Sequence, residues 1–293
     1  MNIERGRYKR EYPYTDLAIE RRRADTRLPG VEYKREIATG GVWERLKITS
    51  TEGAESIGRQ MGVYDTLQLM RMDLLDRESL DDATDEIATE LCYLTEVMDV
   101  MPQRVLVVGI GNPDLTPDAV GSLSAKGVKA TMHIREFDEP FFKRLECSEI
   151  AVIRPDVLSS SGFDASIAVK AICNQIAPSL VIVIDALAAR NAERLGSSIQ
   201  LSSTGLTPGS GLGNGRHAID RTKLGVPVLS IGVPTVIDAG MFWMDAKEES
   251  GDDKTLRKHS GMFVAPKEVN EIVEAAARII SGAINQAFGL YYQ

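Results

Sequence analysis

The chain has 293 residues, 43% hydrophobic and 26% charged, which suits one large core or a core with a small second domain. Its formal charge of -8 argues against direct nucleic-acid binding, which leaves a basic footprint. No apolar run approaches the roughly 18 residues of a membrane span, and the N-terminus lacks the apolar centre of a secretory signal. An intracellular protein away from membranes is expected. Cys92, Cys147 and Cys173 form no CxxC pair and read as reduced thiols that serve as small core hydrophobes.

The first 36 residues carry the basic clusters RGRYKR, ERRR and YKRE with little apolar periodicity. They are expected to be extended or mobile at least to Tyr14, with Arg21, Arg22 and Arg23 on a solvated face. Between Gly40 and Met72 the alternating stretches VWERLKIT and YDTLQLM predict strands. Helical spacing of Ile87, Leu91, Leu94 and Met98 predicts a helix over 79–99, with Ser79 as N-cap and Asp82 in the first turn.

After Pro102 the pattern changes. Runs rich in Val and Ile at 104–110, 128–134, 150–153, 180–185 and 226–233 predict strands, and 164–177 between two of them predicts a helix. A long amphipathic helix follows Pro266, with Val269, Ile272, Val273, Ala276, Ile280, Ala283 and Ile284 on its apolar face. The alternation implies an α/β fold of three layers with a mostly parallel central sheet, plus a small β-containing N-terminal portion. The division expected is an N-terminal portion to residue 100 and an α/β core over 101–293.

In such a sheet, chemistry gathers beyond the carboxyl ends of the strands. VGIGNPDLTPDAVG (108–121) follows the first core strand, and IDALAAR (184–190) ends another; TGLTPGSGLGNGR (204–216) and IGVPTVIDA (231–239) complete the set. The GIGN turn lacks the third glycine of a dinucleotide fingerprint and the GK[ST] of a phosphate loop. Asp118 and Asp185 stand where they can share one crevice. Two carboxylates in one site do not both ionise comfortably, so the pair supplies an acid and a base suited to water attack on an amide. A divalent metal between them is the competing use. Ser210 and His217 lie close in sequence, but the glycines around them read as a binding loop. His133, at the end of an expected strand, is the one histidine placed to reach the crevice; His259 is the third.

Taken together, VGIGNPDLTPDAVG, TMHI, LVIVIDALAARNAERL, IQLSSTGLTPGSGLGNGR, GVPVLSIGVPTVIDA and FVAPKEVNEIVEAAARIISGAINQA resemble the germination proteases of spore-forming bacteria. The resemblance implies an endopeptidase of small acid-soluble spore proteins, cytoplasmic in the spore core and homotetrameric. Asp118 and Asp185 then correspond to the two aspartates of an atypical aspartic-type mechanism, which needs no cofactor. Gly109, Gly111 and Asn112 would shape the turn beneath the scissile bond, with His133 and Arg190 in support. Members are made as zymogens and cut themselves where an acidic residue precedes an apolar residue and alanine. Thr15-Asp16-Leu17-Ala18 has that pattern, so cleavage is expected between Asp16 and Leu17, with 1–16 as a propeptide that occludes the crevice.

Two departures stand out. Ser203 replaces an aspartate usual before TG, and the stretch between Ala246 and Met262 is short for the family. The family has also been classed with metallopeptidases, and the GIGN turn resembles hydrogenase-maturation endopeptidases. A metal-dependent peptidase using Asp118 and His133 is therefore the second reading. A noncatalytic phosphate- or nucleotide-binding module built on the two glycine loops is the third.

Overall fold

The computed structural model describes residues 15–22, 28–210, 217–240 and 262–290. The strands are β1 (Val31–Ala38), β2 (Gly41–Ile48), β3 (Gly62–Gln68), β4 (Arg104–Gly109), β5 (Glu149–Ile153), β6 (Leu180–Ala189), β7 (Ser198–Ser202), β8 (Val228–Asp238) and β9 (Phe263–Val264). The helices are α1 (Thr51–Ile57), α2 (Arg77–Val97), α3 (Val120–Gly127), α4 (Met132–Phe137), α5 (Glu139–Leu145), α6 (Leu158–Ser161), α7 (Ala165–Ile176), α8 (Arg221–Leu224) and α9 (Val269–Phe288).

All nine strands join one sheet in the order β1-β2-β3-β7-β8-β6-β4-β5, with β9 paired to the end of β8. Strands β5, β4, β6 and β8 run parallel. The Val- and Ile-rich runs of β4, β6 and β8 are buried on both faces, as a covered parallel sheet requires, while Ala151 to Ile153 of edge strand β5 are half-buried. From β8 outward, β7, β3, β2 and β1 continue antiparallel, so the N-terminal strands extend the same sheet.

One face packs against α2, α3 and α9, where Leu91, Leu94, Val120, Ile280 and Ile284 meet Val105, Val107, Ile182 and Ile184 in the largest core. On the other face, Val169 and Cys173 of α7 cover Leu106, Val108, Val181 and Val183. Alternation along β6 sends Ile182 and Ile184 one way and Val181, Val183 and Asp185 the other. That second face carries the candidate site.

Several expectations need correction. The run 128–134 is not a strand. Thr131 accepts from Ile150 N–H at 2.8 Å and donates to the Ser148 carbonyl at 2.6 Å, and α4 starts directly after it. Strand β1, within and just beyond the stretch expected to be extended or mobile, was hidden by its charge, since as an edge strand it leaves its side chains exposed or half-buried. Helix α2 is capped by Asp76, whose carboxylate accepts from Ser79 N–H at 2.9 Å, so Ser79 lies inside the helix. Only Cys173 is a core thiol; Cys92 is exposed and Cys147 half-buried.

Candidate active site

The turn after β4 is a mould for one carboxylate. Gly109 has no room for a side chain, because a Cβ there would lie 2.1 Å from the Gly121 carbonyl of α3. Gly111 has φ +112° and approaches Asp118 so closely that a Cβ would sit 1.9 Å from its carbonyl oxygen. Asn112 then donates its backbone N–H to Asp118 Oδ2 at 2.7 Å, and its own Oδ1 accepts from Asp114 N–H at 2.9 Å. Thr235 of β8 holds the Pro117 carbonyl at 2.6 Å. The Asn112 amide, which a phosphate would need, is taken by the chain's own Asp118 carboxylate.

Asp185 belongs to the neighbouring strand. Gly109 of β4 pairs with Ile184 of β6, and Ile110 N–H donates to the Ile184 carbonyl at 2.8 Å, so Asp185 follows directly. Its Oδ1 accepts from Ala186 N–H at 2.9 Å, and only 5% of the residue is exposed. Asp185 faces Gly232 of β8, and Gly232 faces Gln200 of β7, so the three form one row across the sheet. In-register neighbours point to the same face. Asp185 and Gln200 therefore project from the same side with a bare glycine between them. Both line a cavity of about 190 Å³ with Asp16, Leu187, Tyr64 and Asp220. Asp118 is not in its wall; it stands at the end of the adjoining strand, joined to Asp185 through the turn and the Ile110–Ile184 hydrogen bond.

Residues 15–22 cross this face from the end of β6 towards β2. Asp16 N–H donates to the Ala188 carbonyl at 2.9 Å, and the Asp16 carboxylate accepts from Ala188 N–H at 2.9 Å and from Ser210 Oγ at 2.5 Å. Leu17 is wholly buried among Leu187, Ala189, Leu195 and Ile237. Ala18 is equally buried against Leu46, Ile48, Ile57 and Tyr64. The Thr15 carbonyl accepts from Arg21 at 3.1 Å and from Arg59 at 2.8 Å. Glu20 accepts the N–H groups of Arg190 and Asn191, both at 2.8 Å, and the Thr15 hydroxyl. Arg21 thus belongs to the packing and not to a solvated face; burial, then the Arg59 charge, lower its pKa. Arg22 lies 3.9 Å over the Tyr33 ring.

The other candidates are dispersed. His133 sits exposed on α4, beside Thr131, which is bonded to Ile150 near the start of edge strand β5. That is the opposite end of the parallel strands from Asp118 and Asp185. Arg190 is exposed at the end of β6, its backbone held by Glu20. His217 is exposed with Nδ1 3.5 Å from Asp164. Ser203 does not line the cavity, and its hydroxyl accepts from Val63 N–H at 2.9 Å. His259, residues 1–14 and most of the short 246–262 stretch lie outside the described residues. Among the described residues no group of three or more His, Cys, Asp or Glu is placed to hold a metal ion.

Gln200 escaped the sequence reading. Its signal was a long polar side chain between Ile199 and Leu201 of a buried strand, which asks for buried hydrogen-bond partners.

The family model described as germination protease matches residues 14–248. The germination protease of Caldanaerobacter subterraneus subsp. tengcongensis is 34% identical over 93% of both chains. That of Clostridium perfringens (strain ATCC 13124) is 31% identical over 93% of this chain and 94% of its own. Among solved structures, the [NiFe] hydrogenase maturation protease HycI from Thermococcus kodakarensis KOD1 aligns with 67% of this chain and 99% of its own, at 17% identity and a TM-score of 0.34. The chain belongs to the germination protease family and is an endopeptidase, a hydrolase of peptide bonds that serves spore germination.

Proposed function

We propose that the chain is made as a zymogen, cuts itself between Asp16 and Leu17, and then degrades small acid-soluble spore proteins by cutting after acidic residues. The spore core is its proposed location and a homotetramer its proposed assembly. One observation carries the reading. The segment with the family's cleavage pattern, Thr15 to Ala18, is buried across the face that holds Asp185, and Asp16 and Asp185 line the same cavity.

The chemistry assigned to the aspartates is hydrolysis by a carboxylate pair. One carboxylate takes a proton from water as the water oxygen bonds to the carbonyl carbon. The C–N bond breaks as the other, protonated, carboxyl group gives its proton to the leaving nitrogen. Asp118 and Asp185 share these two roles as a pair. The Asn112 amide and the Gly111 turn hold Asp118 in place, and the Ile110–Ile184 hydrogen bond locks the two strand ends together.

The test is a timed digest of a purified small acid-soluble spore protein by the wild-type chain and by Asp185→Asn, each with and without chelator. Cleavage after acidic residues that survives chelator and disappears in the variant is expected. Activity that returns only with added divalent metal would replace the carboxylate pair with metal chemistry.

A further inference from the structure

Resting on that reading, we propose that Gln200 is a catalytic residue that grips the scissile peptide, and that Ala188 N–H and Ser210 Oγ form the subsite that reads the acidic side chain before the cut. The N-terminal segment displays the contacts a substrate would make, because it occupies the site within its own chain.

Three observations carry this. First, the two ends of the Gln200 amide bracket Leu17 and touch the Asp16–Leu17 peptide at its carbonyl. Nε2 donates to the Asp16 carbonyl oxygen at 3.2 Å, and Oε1 accepts from Ala18 N–H at 2.7 Å. The Asp16 carbonyl is the group that gains negative charge when water adds, so a fixed donor aimed at it stabilises the transition state more than the ground state. Secondly, Gln200 and Asp185 are two strands apart in one row, about 10 Å between backbones. Gly232 between them carries no side chain, and a Cβ there would collide with Leu187 at 2.5 Å. The bond held by Gln200 and the carboxylate of Asp185 therefore open onto one space.

Thirdly, the Asp16 carboxylate is met by donors alone among its resolved hydrogen bonds, one on each oxygen: Ser210 on Oδ1 and Ala188 N–H on Oδ2. A neutral side chain of the same size cannot engage both donors with charge-assisted strength. A backbone amide and a hydroxyl, unlike an arginine, hold the carboxylate without a fixed ion pair, which suits release after each cut. The residue after the cut enters the apolar pocket of Leu187, Leu195 and Ile237, and the next enters the small pocket beside Tyr64 and Leu46. The subsites thus fit the order acidic, apolar, small. The substrate class is an extended peptide of that order, bound by its backbone through Gln200.

The experiment follows processing of the full chain by intact mass. Its variants are Gln200→Glu, Ser210→Ala, Asp16→Asn and the double variant Ser210→Ala with Asp16→Asn. Amide exchange at Leu17 and Ala18 is read in parallel. Glu at position 200 keeps an acceptor for Ala18 N–H and loses the donor to the Asp16 carbonyl. Processing by Gln200→Glu is expected to slow by about 10²–10³-fold, the usual effect of removing an oxyanion donor, with exchange at Ala18 unchanged.

Ser210→Ala is expected to slow the wild-type cut about ten- to a hundredfold, as loss of a hydrogen bond to a charged group does. Asp16→Asn should then cost much less in the Ser210→Ala background than alone, the coupling that direct contact produces. Processing by Gln200→Glu at the wild-type rate, or a loss matched by faster exchange at Ala18, overturns the catalytic assignment. Strict additivity of Ser210→Ala and Asp16→Asn overturns the subsite. If the wild-type chain is not cut at Asp16–Leu17 at all, the self-processing reading fails first and this proposal with it.

Discussion

The two halves of the sheet contribute different things to the site. The parallel half, β5-β4-β6-β8, carries Asp185 within β6, four residues before its end, and Asp118 in the turn that follows β4, and it builds the tight glycine turn that fixes Asp118. The antiparallel half, β7-β3-β2-β1, supplies no aspartate to the pair. It offers Gln200, Tyr64, Leu46 and Ile48, a surface on which an extended segment is held by its backbone and by one apolar pocket. The difference separates the aspartates from the backbone grip of Gln200, while the acid contact at Ala188 and the pocket of Leu187 and Ile237 lie on β6 and β8. Strand ends in a covered parallel sheet project polar groups into a crevice, whereas an open antiparallel face presents a broad surface for a crossing chain.

This separation can be broken at either half. The largest effect is expected from the parallel half: Asp118→Asn or Asp185→Asn should each slow processing by about 10²–10⁴-fold, the range for loss of a general acid or base. Intact-mass time courses beside circular dichroism measure this, and wild-type rates in either variant would remove the pair from the mechanism.

In the bound N-terminal segment, Leu17→Ala leaves a void in the cluster of Leu187, Leu195 and Ile237 and should destabilise the unprocessed chain by about 2–5 kcal/mol. Denaturant unfolding checks it. An unchanged midpoint would mean that the segment does not sit there in solution.

Gly111→Ala acts on the turn that holds Asp118. Its φ of +112° and the 1.9 Å approach to the Asp118 carbonyl predict a cost of about 1–3 kcal/mol together with slower processing, because Asp118 must move. A variant that loses stability but keeps full activity would show that the turn is scaffold only.

The smallest effect concerns a buried charge cluster in the antiparallel half. Arg45 reaches Asp65 at 3.0 Å and Glu90 at 2.6 Å, and burial, then the adjacent Glu90, push Asp65 up to about 8. The unfolded chain releases that proton near pH 4. Below that pH both states hold the proton; between about 4 and 8 only the folded state does, so stability falls as pH rises through this window. Thermal melts across pH 5–9 should show that slope, and Asp65→Asn should flatten it.

The parallel half was the more legible in the sequence. Strands β4, β6 and β8 announce themselves as Val- and Ile-rich runs, and Asp185 stands out as a charge within one of them. The antiparallel half was obscured because the outermost strand β1 is charged and exposed. The short apolar run around Met132 looked like a strand, since periodicity alone does not separate a short strand from a helical turn. His133 was carried towards the crevice by that misreading. Gln200 and Ser210 could not be found by motif, because their roles depend on where residues 15–18 cross the sheet, and no local pattern encodes that long-range contact.

On the proposed reading, the buried Asp16–Leu17 bond is the chain's own first substrate and the aspartate pair cuts it. The most direct test is an intact-mass time course of the purified full chain at several protein concentrations, beside Asp185→Asn. A product beginning at Leu17, formed at a rate independent of concentration and absent from the variant, is expected. A product beginning elsewhere, a rate that rises with concentration, or equal processing by the variant would contradict it.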